Sequence, residues 1–160
     1  MGRIVHEKRL RGVHPQLVLV PKAWGVQLPF DVLITEGVRM DVRQRALYAQ
    51  GRSTPGQIVT MAETAALTAH GRRLFPGGDI FGCAFDAVPC TGPVGQPNYN
   101  DAPAFERMGV IAERMGLVWG GRWATFPDKP HVQLPDWRKY QPVGDEVPDF
   151  SDVTGGSSTA

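Results

Sequence analysis

Cys83-Ala84-Phe85-Asp86-Ala87-Val88 is an apolar run interrupted by one carboxylate. Strand alternation places Ala84, Asp86 and Val88 on one face and Cys83, Phe85 and Ala87 on the other, which predicts a strand carrying an acid among apolar neighbours. An unpaired charge is expensive in such a place, so partners for Asp86 must come from elsewhere in the chain.

Working outward, the flanking segments mix short strands and helices. Downstream, Asp101 caps a helix with Phe105, Met108, Ala112 and Met115 on its inner face and Gly116 at its end. Leu117-Val118-Trp119 reads as a strand stopped by Gly120-Gly121, and His131-Val132-Gln133-Leu134 as another, with His131 and Gln133 sharing a face. Upstream, Ile58-Val59-Thr60 follows the turn Ser53-Thr54-Pro55-Gly56 as a short strand. Asp41 with Gln44 spells a capping box and Gly51 a stop, predicting a helix over 41–50. Val32-Leu33-Ile34-Thr35 is a buried strand, and Pro15 to Lys22 an early helix whose end Pro21 restricts. No βαβ rhythm joins these elements, so the expected class is α+β: a small, mainly antiparallel mixed sheet with flanking helices. Periodicity fades from Lys139 and the chain ends T-G-G-S-S-T-A. A single domain over residues 1–138 and a poorly ordered tail over 139–160 are therefore expected.

The 160 residues carry 17 basic and 16 acidic side chains, a net charge of +1. That balance argues against a nucleic-acid partner, and the basic group Arg3, Lys8, Arg9 and Arg11 reads as a solvated face. Two cysteines, Cys83 and Cys90, are too few for a disulfide scaffold or a four-thiolate zinc site. Neither a secretory h-region nor an apolar run long enough to span a membrane is visible, so a soluble protein made in the cytoplasm, without stable membrane insertion, is expected.

The stretch T-F-P-D-K-P-H-V-Q-L (125–134) sets Asp128 three residues before His131. Hydrolytic zinc takes three protein ligands, commonly imidazole and carboxylate, with an open position for water and a nearby carboxylate as base. Asp86 and His131 supply two ligands and Asp128 a base. Among the other histidines, His6 lies in the charged terminus and His14 abuts Pro15, which leaves His70.

Four segments resemble the zinc D-alanyl-D-alanine carboxypeptidase family: L-Y-A-Q-G-R-S-T-P-G-Q-I-V-T (47–60), G-C-A-F-D (82–86), G-L-V-W-G-G-R-W (116–123) and P-D-K-P-H-V-Q-L (127–134). With R-L-R-G-V-H-P-Q-L-V and I-T-E-G-V-R-M upstream, the chain looks closest to the phage endolysin branch of L-alanyl-D-glutamate endopeptidases, over roughly Arg9 to Leu134. The resemblance implies a small α+β zinc-peptidase fold, a bound Zn2+ and cleavage of the peptidoglycan stem peptide. Asp86 matches the family's carboxylate ligand, His131 its second histidine ligand, Asp128 its catalytic base, and Arg39 the arginine that holds substrate and developing oxyanion. A monomeric lysis enzyme is implied, reaching its substrate across the inner membrane with the help of a separate holin-like protein. A D-alanyl-D-alanine carboxypeptidase, or a wall-binding module that has lost zinc, are the alternatives.

One part of the family element departs from the pattern. Thr68-x-His70 matches S/T-x-H, but residues 71–81 separate His70 from Gly82, and Asp79 stands where the histidine would fall without an insertion. The site is then a His-Asp-His cage, an Asp-Asp-His variant or lost. His70 is preferred, because its distance from Val59-Thr60 suits the family pattern and the extra residues can form a loop after it; charge agrees, since two neutral imidazoles and one carboxylate leave zinc net positive whereas a second carboxylate neutralises it. The inserted stretch reads as a tolerated loop, or as a cleft wall whose Arg72 and Arg73 meet stem-peptide carboxylates. Trp119 and Trp123 read as packing residues, with a tryptophan near Gly120-Gly121 placed to wall the cleft.

Overall fold

The computed structural model describes residues 1–148. In chain order the elements are β1 (Ile4–Val5), α1 (Pro15–Gln27), β2 (Val32–Glu36), α2 (Asp41–Ala49), β3 (Arg72–Leu74), β4 (Ile80–Gly82), β5 (Ala84–Pro89), α3 (Ala102–Arg114), β6 (Val118–Trp119), β7 (His131–Gln133) and β8 (Gln141–Pro142). The main sheet runs β1-β2-β5-β7-β6 and a smaller one β4-β3-β8. Only the β1–β2 pair is parallel among the described strands, so the expected α+β class with a mainly antiparallel sheet is the observed one.

Helices α1 and α3 cover one side of the main sheet. Leu17, Val20 and Trp24 of α1 and Phe105, Met108 and Ala112 of α3 are buried against Ile34, Phe85 and Ala87. Each such large apolar side chain contributes roughly 1.5–3 kcal/mol when taken from water. The two helices are pinned together by Trp24, whose Nε1 donates to the Met108 carbonyl at 3.0 Å and whose ring meets Phe85 edge-on. Helix α3 begins as its sequence implies, with Asp101 accepting from the Ala104 amide at 2.9 Å.

Several elements differ locally from what the sequence predicts. Helix α1 runs on to Gln27 with Pro21 inside it, its ring packed in the core, and His14 caps its start by accepting from the Gln16 amide. The 41–50 helix is present as α2, but Asp41 and Gln44 form no capping box. Met40 is the N-cap, Asp41 accepts from the Ala65 amide and Arg45, and Gln44 turns fully inward. Residues 58–60 form no strand; Ile58 and Val59 lie exposed.

The insertion and the tail differ most from what the sequence predicts. Residues 71–81 are not a free loop but the hairpin β3–β4, and β8 joins it in register, Arg73 opposite Pro142 and Leu74 opposite Gln141. Residues 139–148, the start of the tail expected to be poorly ordered, instead strap this hairpin and α2. Asp145 accepts from the amides of Asp41 and Val42 at 2.7 and 2.9 Å, capping α2 from a distant part of the chain. Edge pairing and a carboxylate at a helix start need no apolar periodicity, which is why composition hides them. The domain thus extends past residue 138; the rest of the expected tail, 149–160, lies outside the described residues.

Candidate metal centre

The register of the main sheet builds the centre. Asp86 of β5 lies directly opposite His131 of β7, and its other neighbour across the ladder is Glu36 of β2, brought there by an irregularity between Ile34 and Glu36. Cross-strand partners stand roughly 4.5–5.5 Å apart, so the β5–β7 pairing by itself sets an imidazole against the carboxylate. His131 Nδ1 is 3.1 Å from Asp86 Oδ1. His70 arrives from the turn before β3 and places Nε2 at 3.2 Å from the same oxygen. Ligand atoms of His70, Asp86 and His131 all lie within 4.8 Å of one another, while Asp79 sits apart at the exposed tip of the β3–β4 hairpin.

Proton positions show what such a group can hold. His70 Nδ1 faces the Gly37 carbonyl at 2.9 Å, and a carbonyl only accepts, so that nitrogen carries the proton and Nε2 turns a lone pair toward Asp86. His131 Nε2 faces Gln133 Oε1 at 2.8 Å, which leaves its Nδ1 lone pair turned inward as well. Two lone pairs and a carboxylate converging at about 3 Å repel unless a cation stands among them. The donor set therefore fits a divalent ion of the kind that takes imidazole and carboxylate together. Gly37 is needed for this geometry, since a Cβ there would fall 2.0 Å from the Arg9 carbonyl.

The remaining groups ring this cluster. Burial opposes a charge on Asp86, but the two imidazoles, when they carry protons in place of an ion, outweigh it and hold its carboxyl below the usual range. Burial also works against a charged His131, yet the Asp86 contact raises its pKa on balance. Asp128 stands 4.0 Å from His131 Nδ1, its backbone amide bonded to the Gly120 carbonyl at 2.9 Å. Burial, then the charge of Asp86, push its carboxyl upward. A Cβ at Gly120 would meet the Asp128 carbonyl at 2.5 Å, so the close fit of that loop requires glycine.

Arg39 reaches in from the loop before α2. Its Nη2 is 3.9 Å from Asp86, its Nε 3.4 Å from Glu36, and its Nη1 donates to Gln44 Oε1 at 2.9 Å. Gln44 in turn donates to Thr60 Oγ1 and the Ala62 carbonyl. The misread capping residue is thus the support of Arg39, and only its burial betrays it. An open cleft of about 860 Å³ connects these groups, lined also by Val59, Met61, Tyr99, Trp123, Trp137 and Arg138. Trp123 meets His131 with the rings tilted and their centroids 5.2 Å apart, as a cleft wall, whereas Trp119 is a packing residue whose Nε1 donates to the Lys129 carbonyl.

Arg72 and Arg73 do not enter the cleft. Arg72 donates to the carbonyls of Gly144, Val147 and Pro148, and Arg73 to those of Tyr140 and Ala66, so both are structural. Cys83 is fully buried with its thiol pushed up to about 12 by burial, which makes it core filler.

An imidazole–carboxylate–imidazole set at the floor of an open groove, with a free carboxylate beside it, is the arrangement of a metallopeptidase. The comparisons agree. The D-alanyl-D-alanine carboxypeptidase family profile matches residues 80–134. The chain is 31% identical over 121 residues to the peptidoglycan L-alanyl-D-glutamate endopeptidase CwlK of Bacillus subtilis, an alignment covering 71% of this chain and 66% of that relative. It also superposes on the crystal structure of Serratia marcescens L-Ala D-Glu endopeptidase ChiX with a TM-score of 0.54 at 27% identity, covering 82% of this chain and 89% of that one. The chain belongs to the D-alanyl-D-alanine carboxypeptidase family of metallopeptidases.

Proposed function

We propose that the protein is a zinc-dependent endopeptidase that hydrolyses the L-alanyl-D-glutamate bond of peptidoglycan stem peptides. The observation that carries the reading is the convergence of His70, Asp86 and His131 in one open cleft with Asp128 alongside. The choice of bond is supported by the names of the two relatives, CwlK and ChiX.

His70, Asp86 and His131 would hold the ion, which supplies the Lewis acidity that makes water nucleophilic and polarises the scissile carbonyl. Asp128 takes a proton from the attacking water and passes it to the leaving amine of the glutamyl residue, a role for which its raised pKa suits it. Arg39, kept in place by Glu36 and Gln44, donates to the carbonyl oxygen as negative charge grows there. Its side chain is only 12% exposed, so that hydrogen bond forms where little water competes.

The wider reading is of a monomeric phage or prophage lysis enzyme, made in the host cytoplasm and released to the wall with a holin-like partner. The likeness of segments 47–60, 82–86, 116–123 and 127–134 to the endolysin branch supports it. Among the described residues no helix is long and apolar enough to cross a membrane. The test is metal content of the purified chain together with mass analysis of fragments from purified peptidoglycan. One equivalent of zinc and new glutamyl N-termini are expected. Release of free D-alanine would move the reading to a carboxypeptidase, and neither metal nor fragments would reduce it to a wall-binding module.

A further inference from the structure

The cleft presents three carboxylates, Glu36, Asp86 and Asp128, against two arginines, Arg39 and Arg138. Arg39 is already engaged by Glu36, Gln44 and Asp86. Arg138 is not: it is exposed, and among the described residues no carboxylate pairs with it. What holds it is the ring of Trp137, over which its guanidinium lies 4.3 Å from the centroid. Trp137 is itself fixed, buried in the cleft wall with Arg73 4.8 Å from its ring centroid. Stacking occupies a face of a guanidinium and leaves the N–H donors along its edge available.

A substrate cut on the amino side of glutamate brings its own anion. Glutamate has two carboxyl groups, and a chain that continues through one leaves the other free. That carboxylate lies within one residue of the scissile bond, so it must enter a cleft already crowded with acids. We infer, building on the endopeptidase reading above, that Arg138 receives the free carboxylate of the glutamyl residue and sets the preference for an acidic residue on the leaving side of the bond. The exposed side chains of Val59 and Met61 elsewhere along the cleft have nothing to offer an anion.

The test uses the metal-loaded protein and two synthetic stem peptides, one with the free glutamyl carboxylate and one with the carboxamide in its place. Wild type should prefer the acid by about tenfold in kcat/KM, the low end for a charged hydrogen bond at a partly solvated site. Arg138→Gln should abolish that preference through KM rather than kcat, and Arg138→Lys should restore part of it. Wild type that cleaves both peptides equally, or an Arg138→Gln variant that still discriminates, overturns the inference alone. Failure of wild type to cleave either peptide overturns the endopeptidase reading and this inference with it.

Discussion

Arg39 and the pair Arg72–Arg73 are the same side chain put to opposite uses. Arg39 is gripped by side chains, Glu36 and Gln44, and still reaches toward Asp86 in the cleft. Arg72 and Arg73 donate to backbone carbonyls of their own chain, the buried Arg73 Nε finding no acceptor among the described residues, and desolvation lowers the pKa of Arg73. The difference teaches that the acceptors, not the guanidinium, decide whether an arginine serves a ligand or a fold. Around Asp86 the chain gathers charge for chemistry; around β3 and β8 it gathers charge to fasten a strap.

Mutations should separate the two regions cleanly. The largest effect is expected from His131→Ala, which removes one of the three proposed metal ligands: zinc stoichiometry and peptidoglycan hydrolysis should fall together to background. A variant that keeps a full equivalent of zinc would break the assignment. Asp128→Ala comes next, with turnover reduced on the order of 100- to 10,000-fold while most of the metal stays bound. Joint loss of metal and activity would instead make Asp128 a ligand.

On the strap side the effect should be one of stability. Truncation after Lys139 removes the carbonyls to which Arg72 donates, releasing its guanidinium to water, and uncaps α2, at a cost of about 1 kcal/mol for the cap alone. A urea midpoint unchanged from the full chain would show the strap to be idle. Asp79→Ala should do least, within about 0.5 kcal/mol in stability, as for exposed sites generally, and with zinc content unaltered. Zinc lost from Asp79→Ala but kept by His70→Ala would reverse the third-ligand assignment.

The centre was more legible in the sequence than its surroundings, for physical reasons. Asp86 and His131 lie on short strands whose period-2 pattern fixes their faces, and pairing those strands leaves the two side chains facing each other. His70 could be chosen only through its family-like distance from Val59-Thr60, with elimination and charge in agreement, because the β3–β4 hairpin separates it from β5 in sequence while leaving it adjacent in space. The strap was invisible: β8 is two residues long, and its partners on β3 lie far back in the chain. Gln44 was legible as a residue and misread as a role, since a polar side chain opening a helix signals a cap unless its burial is known.

The cross-strand placement of Asp86 and His131 has a kinetic consequence. Their contact closes a sequence separation of 45 residues and needs the correct register, because a slip by one position turns either side chain to the other face of the sheet. A site made this way does not exist in any local fragment of the chain. During refolding, tight zinc uptake should lag behind helix formation and keep step with β5–β7 pairing, so that the rate of metal capture becomes a clock for the slow, non-local part of folding.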